Sequence, residues 1–262
     1  MNVIILTSNS IRHKFFANQI SKNVDKCMVI SESKPDSFST ISGDLNATLI
    51  EKHFFERYET EKKVFHGNDT FLAKTLTIDY GKINSPKIIK QIKKFQPDAI
   101  IVFGSSILKE EIIKLVPSGK FLNMHLGISP YYRGSGTNFW PFVNNELSFV
   151  GATILHLDPG IDTGDIVTHV RSIIEKNDDV HSIGCKVIRK GSEIMIKILD
   201  KIKEGHSINR EKQWKVSSER YYRMKDFDEK SLKKYHENMK NGMIEKFLQV
   251  KSTDIRLIEM KF

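Results

Sequence analysis

Cysteine is scarce in this chain, and its two cysteines lack a metal-binding spacing. Cys27 and Cys185 lie far apart in the sequence, and no Cys-x-x-Cys pattern accompanies them. A disulfide-bonded scaffold and a zinc finger are therefore not expected. We expect both thiols to be reduced and structural, and we expect no bound metal.

Long apolar runs are also missing. No stretch approaches the roughly 20 residues that a membrane-spanning helix needs. The opening residues 1–7 lack a basic region before the apolar ones, so they predict a first strand and not a signal peptide. The expected location is the cytoplasm, with no membrane partner.

The charge is one-sided but not clustered. The formal net charge of +9 permits an anionic partner. The basic residues are spread over the whole chain without a zinc-finger, RNP or basic-zipper pattern, so a nucleic-acid partner is not expected. Anionic small molecules and general solubility both account for the sign of the charge.

The periodicity of apolar residues predicts an α/β fold. Apolar or β-branched runs predict strands at 3–6, 27–31, 76–80, 98–104, 121–126, 149–157 and 165–170, and helical spacing predicts helices at 11–20, 48–65, 86–96 and 179–205. Further helices are expected to open at Ser105 and Thr137, whereas residues 32–46 have no regular pattern. We expect one large domain, residues 1–206, and a small, mainly helical C-terminal extension, residues 207–262.

Two polar residues interrupt one of the predicted strands. Asn123 and His125 are two apart, so in a strand they lie on the same face, near the end of the strand that Gly127 and Pro130 impose. Downstream, Gly160 and Gly164 bracket Asp162 in a segment too rich in glycine for regular structure.

Amide, imidazole and carboxylate together are the parts of an acyl-transfer site. They can supply a donor to an oxyanion, a carrier for the proton and a group that orients the carrier. Taken singly, a histidine in an apolar strand is more often structural, and an aspartate between glycines is usually a turn residue.

The start of the first helix is unusually basic. Ser8 and Asn9 can cap it, while Arg12, His13 and Lys14 place positive charge in its first turn, where cations are normally disfavoured. This mismatch indicates a phosphate-bearing ligand, and an ordinary solvated helix start explains it equally well.

The order and spacing of these motifs resemble the signature of the folate-dependent formyltransferases, between about Asp79 and Val170. The matching elements are Asn-x-His at 123–125, Ser-Pro at 129–130, Tyr-Arg-Gly at 132–134, Gly-Ala-Thr-Ile-Leu-His at 151–156 and Gly-Ile-Asp-Thr-Gly-Asp-Ile at 160–166. The resemblance implies a Rossmann-like fold, 10-formyltetrahydrofolate as formyl donor, and Asn123, His125 and Asp162 as catalytic residues.

The resemblance also implies binding residues. The folate would contact Phe103, Gly104, Ser105, Ser106, Ile107, Asp158, Gly160 and Ile161. The acceptor would contact Ser8, Asn9, Arg12, His13, Lys14, Tyr132, Arg133 and Gly134. Where the family commonly has His-x-Ser, this chain has Gly127, which we expect to open space beside His125.

The acceptor is the least determined part of the hypothesis. The first loop lacks the glycines associated with glycinamide ribonucleotide, and the region after His206 is too short and too helical for the tRNA-binding β-barrel of methionyl-tRNA formyltransferases. A nucleotide-linked amino sugar of a bacterial surface glycan is therefore the leading acceptor, and a homodimer is compatible with the resemblance. Formylation of methionyl-tRNA, hydrolysis of the formyl-folate and a non-catalytic basic RNA-binding module remain alternatives.

Overall fold

The computed structural model of the protein describes residues 1–33, 47–217, 219–250 and 255–260. Within these ranges the strands are β1 (Asn2–Ser8), β2 (Lys26–Ser33), β3 (Lys74–Asp79), β4 (Ala99–Phe103), β5 (Phe121–His125), β6 (Tyr132–Gly134), β7 (Ala152–His156), β8 (Ile166–Val170) and β9 (Arg220–Tyr222). The helices are α1 (Ile11–Ser21), α2 (Leu49–Val64), α3 (Pro86–Phe95), α4 (Glu110–Ile113), α5 (Trp140–Val143), α6 (Val180–Lys203), α7 (Glu229–Lys240) and α8 (Met243–Gln249).

Seven of the strands form one open sheet in the order β3-β2-β1-β4-β5-β7-β8. The pairs from β3 to β5 are parallel, and β7 runs antiparallel to both of its neighbours. The predicted, mostly parallel α/β sheet is confirmed. Its strand order reverses between β1 and β4, and in such sheets ligands bind at the carboxyl ends of the strands at this point.

Both faces of the sheet are buried. Along β1, Val3 and Ile5 pack into one apolar core together with α1 and α6, while Ile4 and Leu6 pack into a second core together with α3. This explains why the central strands are continuous apolar runs, because alternation between faces places every residue in a core.

Several helices begin where the sequence predicts. Thr48 and Glu51 form a reciprocal capping box at the start of α2, Asp179 accepts hydrogen bonds from the first turn of α6, and Pro86 occupies the first turn of α3. Such caps satisfy backbone N–H groups that the helix leaves without partners.

The helix predicted to open at Ser105 is wrong over most of its length. Residues 105–109 are not helical, and only α4 forms. The reason is tertiary: Glu32 accepts a hydrogen bond from the Ser106 amide at 2.6 Å, and the Asn84 side chain bonds the Ile107 carbonyl at 2.9 Å and the Lys109 amide at 2.7 Å. These contacts hold the segment as a loop.

A second, two-stranded sheet was not predicted. β6 pairs in parallel with β9, so residues 220–222 lie beside the segment that follows the Asn-x-His motif. A Cβ atom on Gly134 would lie 2.1 Å from the Tyr222 carbonyl oxygen. Glycine at 134 is therefore required for this close pairing.

The part of the chain after residue 206 packs on the rest at several points. Glu211 and Ile166 exchange two backbone hydrogen bonds, at 2.7 and 2.9 Å, and the Ile258 amide donates to Nδ1 of His169 at 2.7 Å. This part is mainly helical, as predicted, with α7 and α8 separated at Gly242. A domain boundary at 206/207 stays a prediction.

Two other expectations concern regions rather than elements. Of the unpatterned stretch 32–46, residues 34–46 lie outside the described residues, and Glu32 belongs to β2. Across the part of the chain that the structure describes, no helix has the length and apolar character to span a membrane.

Candidate active site

A cavity of about 1360 Å³ opens at the carboxyl ends of β1, β4 and β5. One group of lining residues, here called the strand-end wall, lies within 102–108 and 155–161. The other, here called the helical wall, consists of lining residues within 8–14, 50–61, 180–188 and 221–227. A pocket for one drug-sized ligand typically measures about 300–1000 Å³, so this cavity is larger than a typical pocket for a single ligand.

The three residues of the predicted triad lie together on this cavity. Nδ1 of His125 is 3.3 Å from Oδ1 of Asp162, and Nδ2 of Asn123 is 3.5 Å from the same oxygen. His125 is 7% exposed and the Asp162 side chain 13%, so water screens their interaction poorly. The parallel pairing of β5 with β4 and the period of two within β5 deliver both polar side chains to the cavity.

The backbone around Asp162 is held in a tight loop. Asp162 has a φ of +53°, in the left-handed region that non-glycine residues seldom adopt. Nε2 of Gln213 donates to the carbonyl oxygens of Asp162 at 2.7 Å and Gly164 at 2.9 Å, and the Gly134 amide donates to the Asp162 carboxylate at 3.3 Å. Gln213 was missed by sequence reasoning, since nothing in its local sequence indicates this contact.

The opposite side of the His125 ring faces two further oxygens. Nε2 lies 3.2 Å from the Tyr132 carbonyl oxygen and 3.3 Å from the hydroxyl oxygen of Thr137. The expectation that Gly127 opens space beside His125 is wrong. A Cβ atom at 127 would lie 2.7 Å from Cβ of Thr137 and 2.8 Å from Nε2 of His125, so Thr137 already fills that space.

The predicted folate residues line the strand-end wall. Phe103, Gly104, Ser105, Ser106, Ile107, Asp158, Gly160 and Ile161 all border the cavity. Ile107 is 69% exposed and Ile161 43% exposed, so both offer apolar surface to a ligand. The polar groups of Ser106 and Asp158 already have protein partners: Ser106 bonds the buried Glu32, and Asp158 bonds the Gly160 amide and the Thr163 hydroxyl within its own exposed loop.

The basic start of α1 lies on the helical wall, and both Arg12 and His13 have protein partners. Ser8, Asn9, Arg12, His13 and Lys14 all border the cavity. Arg12 forms an ion pair with the buried Glu61 at 2.7 Å, and Nδ1 of His13 is 2.6 Å from the Ser8 hydroxyl. His13 also packs edge-on against Phe103, so it joins the two walls.

Two of the predicted acceptor residues do not reach the cavity. Tyr132 is fully buried, and its hydroxyl bonds Glu146 and Asn144 at the back of the loop. Arg133 forms an ion pair with Glu219 and does not line the cavity. Gly134 does line it. Tyr132 and Arg133 are held by polar partners elsewhere, so the Tyr-Arg-Gly motif contributes only Gly134 to the lining of the cavity.

The helical wall contains a pair of buried histidines that sequence reasoning assigned no chemistry. The rings of His53 and His181 are 4.5 Å apart among Phe54, Phe139 and Phe227. Burial, reinforced by neighbouring positive charge, lowers the pKa of each imidazole to about 3. Both are therefore neutral near pH 7.

Burial keeps the two thiols in the protonated form near pH 7, in which they are poor nucleophiles. Both cysteines are free, and burial raises the pKa of each thiol to about 12. Over the residues with described positions, no three histidine, cysteine or acidic side chains converge in a way that could hold a metal ion.

The fold and the site agree with a family match. A family model described as formyl transferase matches residues 2–199 of the chain. The protein therefore belongs to the formyl transferase family, the folate-dependent formyltransferases that its motifs resemble.

Curated relatives match about half of this chain. The methionyl-tRNA formyltransferase of Caldanaerobacter subterraneus subsp. tengcongensis is 35% identical over 126 residues, which are 48% of this chain and 40% of that protein. The methionyl-tRNA formyltransferase of Trichlorobacter lovleyi is 31% identical over 128 residues, again 48% of this chain and 40% of that protein. The chain thus matches less than half the length of these relatives.

Solved structures share the fold over most of the chain. The N-formyltransferase from Helicobacter canadensis, in complex with folinic acid and dTDP-3-aminofucose, has a TM-score of 0.56 at 22% identity, covering 87% of this chain and 72% of that one. The formyltransferase PseJ from Anoxybacillus kamchatkensis, in complex with UDP-4,6-dideoxy-4-formamido-L-AltNAc and tetrahydrofolate, has a TM-score of 0.53 at 18% identity, covering 89% and 90%. Glycinamide ribonucleotide transformylase 1 from Symbiobacterium toebii has a TM-score of 0.55 at 13% identity, covering 80% and 94%. At these identities the likeness establishes the shared fold alone.

Proposed function

We propose that the protein is an N-formyltransferase that moves a formyl group from 10-formyltetrahydrofolate to the primary amine of a nucleotide-linked amino sugar, in the biosynthesis of a bacterial surface glycan. The observation that carries this proposal is the cluster of Asn123, His125 and Asp162 on a cavity of about 1360 Å³, which is larger than a typical pocket for one ligand. Formyl transfer between two nitrogens needs both substrates bound at once.

Each member of the cluster has a role in this reaction. The acceptor nitrogen attacks the formyl carbon, the carbonyl oxygen becomes an oxyanion, and the bond from carbon to the folate nitrogen then breaks. Asn123 has two side-chain N–H groups, so one can face Asp162 while the other donates to the oxyanion. His125 carries a proton between the incoming amine and the departing nitrogen, and Asp162 orients the imidazole and stabilises its cation.

The two walls suit two different ligands. The exposed Ile107 and Ile161 and the backbone of the loop after β4 suit a flat pteridine, which needs apolar contact on its faces and backbone hydrogen bonds at its edge. On the helical wall, the exposed Tyr221 and Met224 lie beside Arg223. Aromatic and apolar surface next to a guanidinium suits a base linked to phosphates.

Methionyl-tRNA is the second candidate acceptor, because the curated relatives named above are methionyl-tRNA formyltransferases. We place the amino sugar first because a solved structure that matches 89% of this chain, and 90% of its own, holds a nucleotide-linked formamido sugar. The two acceptors differ in size by far more than a factor of ten, so a direct comparison separates them.

The test is an assay by mass spectrometry with 10-formyltetrahydrofolate and a panel of acceptors. The panel contains nucleotide-linked amino sugars, glycinamide ribonucleotide and methionyl-tRNA, and His125→Ala serves as the inactive control. We expect one sugar to gain a formyl group with the wild-type protein only.

Each other outcome contradicts the proposal in a defined way. A formylated methionyl-tRNA would identify the second candidate, and formate released without any acceptor would identify a hydrolase. If the folate neither binds nor reacts, the proposed transferase role is wrong. The RNA-binding alternative is then tested by measuring RNA affinity as a function of salt concentration.

A further inference from the structure

The side chain of Thr137 occupies the space between Gly127 and the His125 ring. Gly127 has a φ of +150°, and a Cβ atom there would lie 2.7 Å from Cβ and 2.8 Å from Oγ1 of Thr137. Real Cβ atoms do not approach other heavy atoms this closely. A side chain at 127 and the present position of Thr137 are therefore mutually exclusive.

The hydrogen bonds of Thr137 determine whether its hydroxyl donates to His125 or accepts from it. The hydroxyl donates its one hydrogen to the backbone carbonyl of Leu126. Its lone pairs are then the groups that remain for Nε2 of His125, 3.3 Å away. Thr137 is 2% exposed, so water does not compete for this contact.

Each group facing Nε2 of His125 is thus an acceptor. The Tyr132 carbonyl oxygen, 3.2 Å from Nε2, can only accept, and Thr137 accepts because its hydrogen is used. Nε2 can bond these two groups only when it carries a hydrogen. On the opposite side, Nδ1 faces the Asp162 carboxylate at 3.3 Å, which is an acceptor as well.

We propose that Thr137 is a positioning residue for His125: its hydroxyl, fixed by Leu126, accepts from Nε2–H and holds the imidazole in the orientation in which Nδ1 faces Asp162. Thr137 acts through His125 and does not touch the reacting atoms. The glycine at 127 is what makes this arrangement possible, because it leaves the space that the threonine occupies. The importance of this contact for turnover rests on the function proposed above.

Two variants separate the hydroxyl from the shape of the side chain. Thr137→Val keeps the branched shape and removes the hydroxyl, whereas Thr137→Ser keeps the hydroxyl and removes the methyl group. We expect Thr137→Val to lower kcat about 10-fold, since losing one hydrogen bond of ordinary strength is worth about that factor. The KM for each substrate should change little, and Thr137→Ser should retain most of the wild-type kcat.

A spectroscopic measurement tests the contact without any reaction. The chain is labelled with ¹⁵N in its histidines, and the His125 signals are assigned by their loss in His125→Ala. In the wild-type protein near pH 7, Nε2 should show a bonded hydrogen, and in Thr137→Val the ring should exchange between hydrogen positions. Thr137→Ser should give the wild-type spectrum.

Three results would overturn the inference. One is a wild-type spectrum in which Nε2 of His125 carries no hydrogen, and this measurement does not depend on either Thr137 variant. Another is Thr137→Val with wild-type kcat and an unchanged His125 spectrum. The third is Thr137→Ser impaired as strongly as Thr137→Val, which would assign the effect to packing of the methyl group. If no acceptor is ever formylated while the spectra behave as expected, the proposed function fails and the positioning contact stands.

Discussion

Asp162 combines two properties that rarely occur together. Its backbone is in the left-handed region at a φ of +53°, and its carboxylate is the common partner of His125 and Asn123. Asparagine and aspartate tolerate this backbone region better than most residues, because their short polar side chains hydrogen-bond locally. The position can therefore be probed by a change that removes charge without adding strain.

We expect Asp162→Asn to lower turnover about 100–1000-fold, the usual range for losing one electrostatic contribution of this kind. The physical reason is that a neutral amide stabilises the imidazolium poorly and can present an N–H to Nδ1. The melting temperature should stay close to that of the wild-type protein. Single-turnover kinetics at saturating substrates measure the chemical step directly.

Asp165 provides the matched control for that variant. It lies three residues further along the chain, pairs with Arg210 at 3.2 Å and does not line the cavity. Asp165→Asn should leave the rate within about twofold of wild type, as expected for a partly exposed ion pair. Equal rates for Asp162→Asn and Asp165→Asn would remove Asp162 from the mechanism.

At the scale of elements, one buried carboxylate determines the shape of the strand-end wall. Glu32, at the end of β2, is fully buried and accepts hydrogen bonds from the Gly81 amide, from the Ser105 hydroxyl, and from both the amide and the hydroxyl of Ser106. The loop after β4 is therefore fixed by a residue more than 70 positions earlier in the chain. Ser105 and Ser106 border the cavity because Glu32 holds them there.

We expect Glu32→Gln to raise the dissociation constant for the formyl-folate about 10-fold while the KM for the acceptor changes little. In this variant an NH₂ group faces at least one of the N–H and O–H donors, so one hydrogen bond is lost and a donor is left unsatisfied. Folate binding by calorimetry and acceptor KM by the transfer assay make the comparison. Glu111→Gln, an exposed change on α4, is the control. If the KM for the acceptor rises as much as the dissociation constant for the formyl-folate, the loop does not bind the folate selectively.

On the scale of the whole molecule, buried histidines link stability to pH. Burial lowers the pKa of His169 to about 4, and that of His53 and His181 to about 3. His169 is built in as a neutral ring, since Nε2 bonds the Ser129 carbonyl oxygen and Nδ1 accepts from the Ile258 amide. The folded pKa lies below the unfolded value of about 6.5, so the unfolded chain binds more protons between these values.

Stability should therefore fall as the pH drops below about 6.5. His169 alone should contribute a loss of about 2 kcal/mol in unfolding free energy between pH 6.5 and 5. Urea unfolding at a series of pH values measures this slope, and we expect His169→Gln to flatten it by about 1.4 kcal/mol per pH unit. His206→Gln, at an exposed site, should leave the slope unchanged. If His169→Gln leaves the slope unaltered, protonation of His169 does not contribute to the pH dependence of stability.

Much of the fold and part of the site could be predicted from the sequence. Apolar runs such as 98–104 and 121–126 predict β4 and β5, and the helical spacing of apolar residues predicts α2 and α6. These signals are local, since burial on both faces of a sheet and the apolar face of a helix are patterns within a few consecutive residues. The Asn-x-His pair was visible for the same reason, because the period of two is local.

What only the tertiary structure decided are the contacts between distant segments. Glu32 and Asn84 turned a predicted helix into a loop, β9 found its partner in β6, and Thr137 filled the space left at Gly127. Periodicity and composition describe local patterns, so they do not reveal which of these residues contact one another. The sequence by itself determined which residues can do acyl-transfer chemistry and on which elements they lie. Packing across the sheet and its loops decided which of them meet at one cavity, because side-chain volume and unsatisfied hydrogen bonds are settled only when distant segments come together.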